Sequence, residues 1–301
     1  MPYVVFLSIC VIWGSNFILM SRAASAFGPV DIAFWRLSLG GGVMMIVWLL
    51  GSRQRLSGIL WFHVAVAALL GNAAPFVLIA LLIAQGFGHS FFALIVSFVP
   101  LITILASGIL LREWPGWRQW VGVLGGFAAI SVLFWEGISR GITPQLLGLA
   151  FLVPLFYSVT NTYIRWKLAD APTAPLTAGL FLLGALFLAP IWLSKATQES
   201  WTIGGPVAPR NWKVACASVA WLGVMGTGIT GFLFVRMIQS HGPLFAGMAT
   251  YLIPLVALLW GAYDNETITG LQLVGMAAVL AMVSLAQWKP ASERPESPSS
   301  N

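Results

Sequence analysis

Charge is what this sequence has least of. Asp, Glu, Lys and Arg make up 8% of its 301 residues, against roughly a quarter in soluble domains, which excludes an ordinary water-soluble fold. Cysteine is nearly absent: Cys10 and Cys216 each stand inside an apolar run, so no disulfide framework is encoded. Histidine is as rare, and His63, His89 and His241 all sit at the edges of apolar runs. The clustered ionisable groups that a metal site or a buried acid–base pair requires are missing, so no metal, cofactor or catalytic residue is expected. All nine acids, from Asp31 to Glu296, fall at run ends, in loops or in the tail. A carboxylate near mid-bilayer is the usual mark of a proton relay, and without one a built-in proton or sodium site is not expected. The formal charge of +6 comes from Lys and Arg in short loops beside apolar runs. That is a topology signal, and no nucleic-acid partner is expected.

What the chain has instead is hydrophobic length: 59% of it is apolar. A helix needs about 20 mostly apolar residues to cross a hydrocarbon core of ~30 Å. Ten such spans can be placed, at about 3–22, 30–50, 59–83, 89–111, 117–136, 145–166, 174–194, 213–236, 243–263 and 269–288. The fold class is therefore an all-α integral membrane protein. The first span lacks a basic leading region and carries Trp-Gly-Ser-Asn in its middle, so it reads as a transmembrane helix rather than a cleavable signal. Asn72 and Pro75 interrupt the third span and allow a broken helix there.

The segment Gln85–Gly122 occurs twice. At a shift of 154 residues, Gln85, Gly88, Phe91 and Pro100 meet Gln239, Gly242, Phe245 and Pro254; after a one-residue deletion, Glu113, Gln119 and Gly122 meet Glu266, Gln272 and Gly275. Matched polar and special-backbone residues at one spacing indicate an internal duplication. Cutting near residue 141 leaves five spans in each half, 1–141 and 142–288. An odd number forces the second half in from the opposite side, which makes the repeat an inverted one. Nine basic residues fall on the side of the termini and five on the other, placing both termini in the cytoplasm. The tail 289–301 is rich in Pro, Ser and Glu, a composition of disorder.

Mid-depth polar residues are the candidate binding groups. Trp13 and Asn16 are three apart and share a helix face. Asn72, Ser97, Tyr157, Asn161, Thr230 and Tyr251 stand at comparable depth in spans three, four, six, eight and nine. A single Ser or Thr at such a position is best read as an interhelical hydrogen bond, worth about 0.6 kcal/mol in a bilayer. The three amides Asn16, Asn72 and Asn161 are better read as converging on a cavity at the repeat interface. Pro100 and Pro254 lie mid-span at equivalent places, where each removes a backbone hydrogen bond, and read as hinges along a central path. Arg36, two turns inside span two, is expected to snorkel or pair toward the helix end in a structural or gating role. Gly226-Thr-Gly-Ile-Thr-Gly231 satisfies GxGxxG but follows no strand, so close helix approach is expected of it rather than nucleotide binding.

In each half a Pro is followed by a Glu about a dozen residues on, then by Gln and Gly: Pro100-Glu113-Gln119-Gly122 and Pro254-Glu266-Gln272-Gly275. With Trp13-Gly14-Ser15-Asn16 and Phe34-Trp35-Arg36, this pattern resembles the drug/metabolite transporter superfamily of the EamA type, over residues 1 to about 288. The likeness extends to its exporters of aromatic and other neutral amino acids. The resemblance implies ten helices in two inverted five-helix repeats and a central cavity open alternately to either side of a bacterial inner membrane. The partners it implies are a small-molecule substrate and the lipid bilayer. Within that frame Trp13, Phe76, Tyr157 and Tyr251 are placed to hold an apolar or aromatic side chain. Span pairs three/four and eight/nine are expected to rock about Pro100 and Pro254, with facilitated movement of the substrate. Three alternatives stay open on the residues. Efflux of organic cations asks for an acid or an aromatic cage. Phosphorylated metabolites or nucleotide sugars ask for basic side chains in the cavity, for which Arg36, Arg165 and Arg236 are near enough. An integral-membrane enzyme asks for clustered ionisable groups, which the chain does not supply.

Overall fold

The computed structural model describes residues 2–51, 54–114, 116–117, 120–125, 128, 132, 135, 138, 141–194, 211–247, 249–266 and 268–287, and every regular element among them is helical. In chain order these are α1 Pro2–Ala24, α2 Pro29–Leu50, α3 Gly58–Ala68, the π-helical turn π1 Leu69–Ala73, α4 Ala74–Ala84, α5 His89–Val96 and α6 Val99–Leu110. Then follow α7 Pro144–Lys167, α8 Thr173–Leu193, α9 Trp212–Trp221, the π-helical turn π2 Leu222–Ile229, α10 Thr230–His241, α11 Pro243–Gly247, α12 Ala249–Tyr263 and α13 Gly270–Gln287. Among the described residues eight helical stretches are long and apolar enough to cross a membrane: Val4–Ala24, Pro29–Leu50, Gly58–Ala84, Phe91–Leu110, Pro144–Lys167, Thr173–Leu193, Trp212–His241 and Pro243–Tyr263. Much of the expected fifth span, 117–136, lies outside the described residues. Those of it that are described are helical. Residues 195–210, most of the long connection before α9, and the tail 289–301 also lie outside.

Two sequence expectations about helix continuity need correction. The third span does not break at Asn72 and Pro75; it continues through π1. A proline ring inside an α-helix collides with the carbonyl four residues earlier, here that of Gly71, and the wider turn immediately before Pro75 accommodates it. The fourth span is two helices rather than one kinked at its centre. α5 ends at Val96, and Pro100 sits in the first turn of α6, where its missing N–H has no intrahelical partner to lose. Pro254 does lie inside α12. Shifting π1 by 154 residues places it within π2, the same offset that relates Pro100 to Pro254.

The helices meet where side chains are smallest. A Cβ on Gly14 of α1 would stand 2.5 Å from Val256 Cβ on α12, and one on Gly40 of α2 would stand 2.9 Å from the Gly223 carbonyl in π2. The GxGxxG run is likewise a set of close approaches: Gly226 to Asn16, Gly228 to Gly40 and Gly231 to Phe181. Buried apolar residues form two large clusters. One gathers Phe17, Met20, Phe87, Phe91, Phe92 and Phe98, the other Ile9, Cys10, Leu168, Phe181, Val235 and Ile238. Large apolar side chains such as Leu50, Leu186, Leu193 and Leu259 cover the outside, as lipid-facing surface does.

Polar ties close each end. At one end Arg22 pairs with Asp264, Phe27 meets Trp212 edge-on at 5.5 Å, and Glu266 Oε1 lies 3.1 Å from the place a Gly88 Cβ would take. At the other, Gln239 Nε2 donates to the carbonyls of Leu168 and Ala171, both at 2.8 Å, while its Oε1 accepts from the Thr173 hydroxyl at 2.7 Å. Both duplicated glutamates follow a residue in the left-handed region, Arg112 at φ 60 and Asn265 at φ 58. The Glu113 N–H closes its turn on the Ser107 carbonyl at 3.3 Å and the Glu266 N–H on that of Gly261 at 2.9 Å, and Glu113 is exposed.

Gly14→Leu forces a side chain into Val256. It is expected to destabilise the protein by about 1–3 kcal/mol, read as a fall in midpoint on thermal unfolding in detergent. Gly148→Ala, where nothing lies within 4 Å of the added Cβ in the exposed interior of α7, is the control expected to keep or slightly raise the midpoint.

Candidate functional site

A cavity of about 130 Å³ lies between the two apolar clusters. Trp13 and Tyr157 pack against both. Its wall is drawn from α1, α2, α4, α5, α6, α7, α8, α10, α12 and both π turns.

The π turns set the chemistry of this wall. In an α-helix a Ser or Thr hydroxyl reaches back to the carbonyl four residues earlier, as Thr103 does to Val99 at 2.7 Å and Thr162 to Ser158 at 2.8 Å. In and after π2 the reach is five: Thr227 Oγ1 donates to Leu222 O at 2.9 Å, and Thr230 Oγ1 to Met225 O at 2.7 Å. The lone pairs of Thr227 Oγ1 remain available, and Arg36 Nε donates to them at 2.7 Å. The Gly226 carbonyl in the same turn accepts from Trp13 Nε1 at 2.9 Å. The Trp13 ring lies 4.5 Å, centroid to centroid, from Phe234.

Arg36 does not snorkel. It is 5% exposed, and its guanidinium carbon sits 4.0 Å from the centroid of the Phe76 ring, a cation–π contact. In the Asn16 amide orientation that satisfies both ends, Oδ1 accepts from an Arg36 terminal N–H at 3.2 Å and Nδ2 donates to Ile12 O at 3.1 Å. The helix-end pairing expected for Arg36 is absent because Gly40, one turn on, lets α2 press against π2 and carries the guanidinium to Thr227.

Six of the nine expected binding residues line the cavity: Trp13, Asn16, Asn72, Phe76, Tyr157 and Asn161. Asn72 and Asn161 are buried, and neither amide has a hydrogen-bond partner among the described residues. Two others stand apart. Ser97 donates to Leu94 O, and Thr230 is engaged with Met225 O; each hydroxyl is satisfied by its own helix and neither lines the cavity. Tyr251 is helical, with a side chain outside the described residues. Pro100 and Pro254 lie off the cavity wall, and Pro100 Cγ would be 3.5 Å from a Gly247 Cβ. The sequence reading missed Thr160 and Gly226. Thr160 Oγ1 is buried without a partner, pressed against Gly71 of π1. Its only sequence signal is its place one residue before Asn161.

Among the described residues no three His, Cys, Asp or Glu side chains gather into a metal-holding group. The wall therefore offers aromatic faces, unpaired amides and one guanidinium. That inventory suits non-covalent binding of a small amphiphilic molecule.

The model of the EamA-like transporter family matches over residues 1–135 and 146–287. The chain is 24% identical over 282 residues to the protein PecM of Dickeya dadantii (strain 3937), an alignment covering 92% of this chain and 89% of PecM. It is also similar to two proteins of Bacillus subtilis (strain 168) described as uncharacterized transporters. YyaM is 21% identical over 300 residues, with 94% of this chain and 92% of YyaM covered; YvbV is 22% identical over 287, with 94% and 90% covered. A solved crystal structure at 19% identity shares the fold, with a TM-score of 0.67 over 95% of this chain and 96% of the other.

Thr227→Val keeps the shape and removes both hydrogen bonds, leaving Arg36 Nε unpaired. The expected loss is about 1.5–3 kcal/mol, the range for a hydrogen bond to a charged group. Thr227→Ser is expected to retain most of that stability, and unfolding midpoints of the two variants in detergent check the difference.

Proposed function

Because the chain belongs to the EamA-like transporter family, we propose that it exports small neutral or zwitterionic metabolites, foremost amino acids including aromatic ones, by alternating access. The observation that carries this reading is the wall of the cavity: unpaired Asn72 and Asn161 amides beside Trp13, Phe76 and Tyr157. Amides suit the polar end of such a molecule and aromatic rings its side chain. The volume of about 130 Å³ is on the scale of the apolar cavity of about 150 Å³ that holds a benzene ring, which is room for one aromatic side chain. The narrower likeness is to YddG-type exporters of aromatic and neutral amino acids.

The architecture that goes with this function is ten transmembrane helices in two inverted halves, 1–141 and 142–288. It is supported by the shared offset of the π turns and prolines, by the left-handed residues Arg112 and Asn265 ahead of Glu113 and Glu266, and by the two matched segments 1–135 and 146–287. Nine basic residues against five favour cytoplasmic termini in a bacterial inner membrane. Pro100 and Pro254 are the proposed pivots. With no Asp or Glu among the described residues that line the cavity, the proposed movement runs down the substrate gradient.

Counterflow of labelled phenylalanine into liposomes holding the purified protein, competed by neutral, anionic and cationic solutes, tests this. Neutral amino acids are expected to move and to compete; if they do neither, the reading fails. Strict dependence on a proton or sodium gradient overturns the facilitated mode alone. Asn161→Leu is expected to lower counterflow by about tenfold, the effect of leaving a substrate polar group unmatched.

A further inference from the structure

Among the described residues Arg36 is the one charged side chain on the cavity wall, and it is not matched. A guanidinium carries five N–H donors. Arg36 uses one on Thr227 and one on Asn16, both neutral groups, and its remaining donors have no acceptor among the described residues. The described acids are all engaged or distant. Asp31 caps α2 through the Gly28 N–H at 3.0 Å, Asp264 pairs with Arg22, Glu266 lies against Gly88, and Glu113 and Asp170 are exposed. Phe76 covers one face of the guanidinium, so the open edge of the fork is what the cavity presents. A planar fork of donors matches a carboxylate bidentately.

Among the described lining residues no carboxylate is present to match an ammonium group. Lining residues that meet a cation are the neutral amides of Asn72 and Asn161 and the aromatic faces of Trp13 and Tyr157. Among the lining residues no acid offsets the fixed positive charge of Arg36.

We infer that Arg36 is the anchor for a carboxylate on the carried molecule, and that the cavity selects apolar or aromatic monocarboxylates for which an amino group is dispensable. This rests on the transport reading above and extends its substrates from neutral and zwitterionic molecules to net anions that carry a carboxylate. Phenylalanine, its 2-oxo acid and its deaminated analogue share the required group, whereas the matching amine lacks it.

Binding to the purified protein in detergent, by equilibrium dialysis, separates the two claims. 3-Phenylpropionate is expected to bind at least as well as phenylalanine, and phenethylamine at least about tenfold more weakly. Arg36→Gln is expected to weaken 3-phenylpropionate by about tenfold or more, with Arg36→Lys intermediate because a point charge replaces the fork. Equal binding of phenethylamine and phenylalanine overturns the inference, as does the absence of any carboxylate binding. If Arg36→Gln does not fold, the ligand series on the native protein decides alone. Carboxylate binding without any amino-acid counterflow in liposomes upholds the anchor and overturns the export reading.

Discussion

A charge buried in a bilayer-spanning bundle must be held by its neighbours, and the way Arg36 is held explains much of the surrounding architecture. Removing an ion from water costs several kcal/mol unless polar contacts replace hydration. The contacts here come from a threonine whose hydroxyl already serves a carbonyl in a π turn, from an amide on a facing helix, and from an aromatic ring. That arrangement demands a backbone separation between α2 and π2 that glycines permit, at Gly40 and Gly223. The same close approach brings the Gly226 carbonyl within reach of the Trp13 indole, so one contact plane orients cation, amide and indole together.

Apolar packing and polar contacts divide the labour. The two clusters lie on either side of the cavity and supply burial without direction. Direction comes from the ends, where the Arg22–Asp264 pair and the Gln239 hydrogen bonds tie neighbouring helices, and from the middle, where the amides and guanidinium converge. Gln239 and Glu266 are both members of the duplicated pattern, and both are spent on turns and helix starts. Gln239 and Glu266 thus serve the scaffold, and neither lines the cavity.

What was legible in the sequence follows from that division. Hydropathic length located eight spans among the described residues, because a bilayer enforces it, and the mid-depth amides Asn16, Asn72 and Asn161 all lie on the cavity wall. Hydroxyls were poor markers: Ser97 and Thr230 satisfy themselves on their own helices, an option that an amide lacks. Arg36 was placed too near the surface, since depth along a helix says nothing of a glycine on the facing one. The π turns left no compositional trace that separates them from α-helix. Asn72 and Pro75 flagged an irregularity in the third span without revealing that it widens the helix instead of breaking it.

A π turn is an α-helix that has accepted one extra residue and absorbed it within a single widened turn. Before π1, α3 packs on α8; after it, α4 packs on α2 and α7. Before π2, α9 packs on α1; after it, α10 packs on α11 and α8. A relative lacking a single residue within Leu69–Ala73 or Leu222–Ile229 would close the turn to plain α-helix and keep both flanks facing as they do here. The hydroxyls and carbonyls of the turn itself would re-pair four residues apart instead of the five that Thr227 and Thr230 now span. A one-residue gap in an alignment of these segments therefore records a change in the polar groups offered to the cavity, with the packing of the flanking helices left in place.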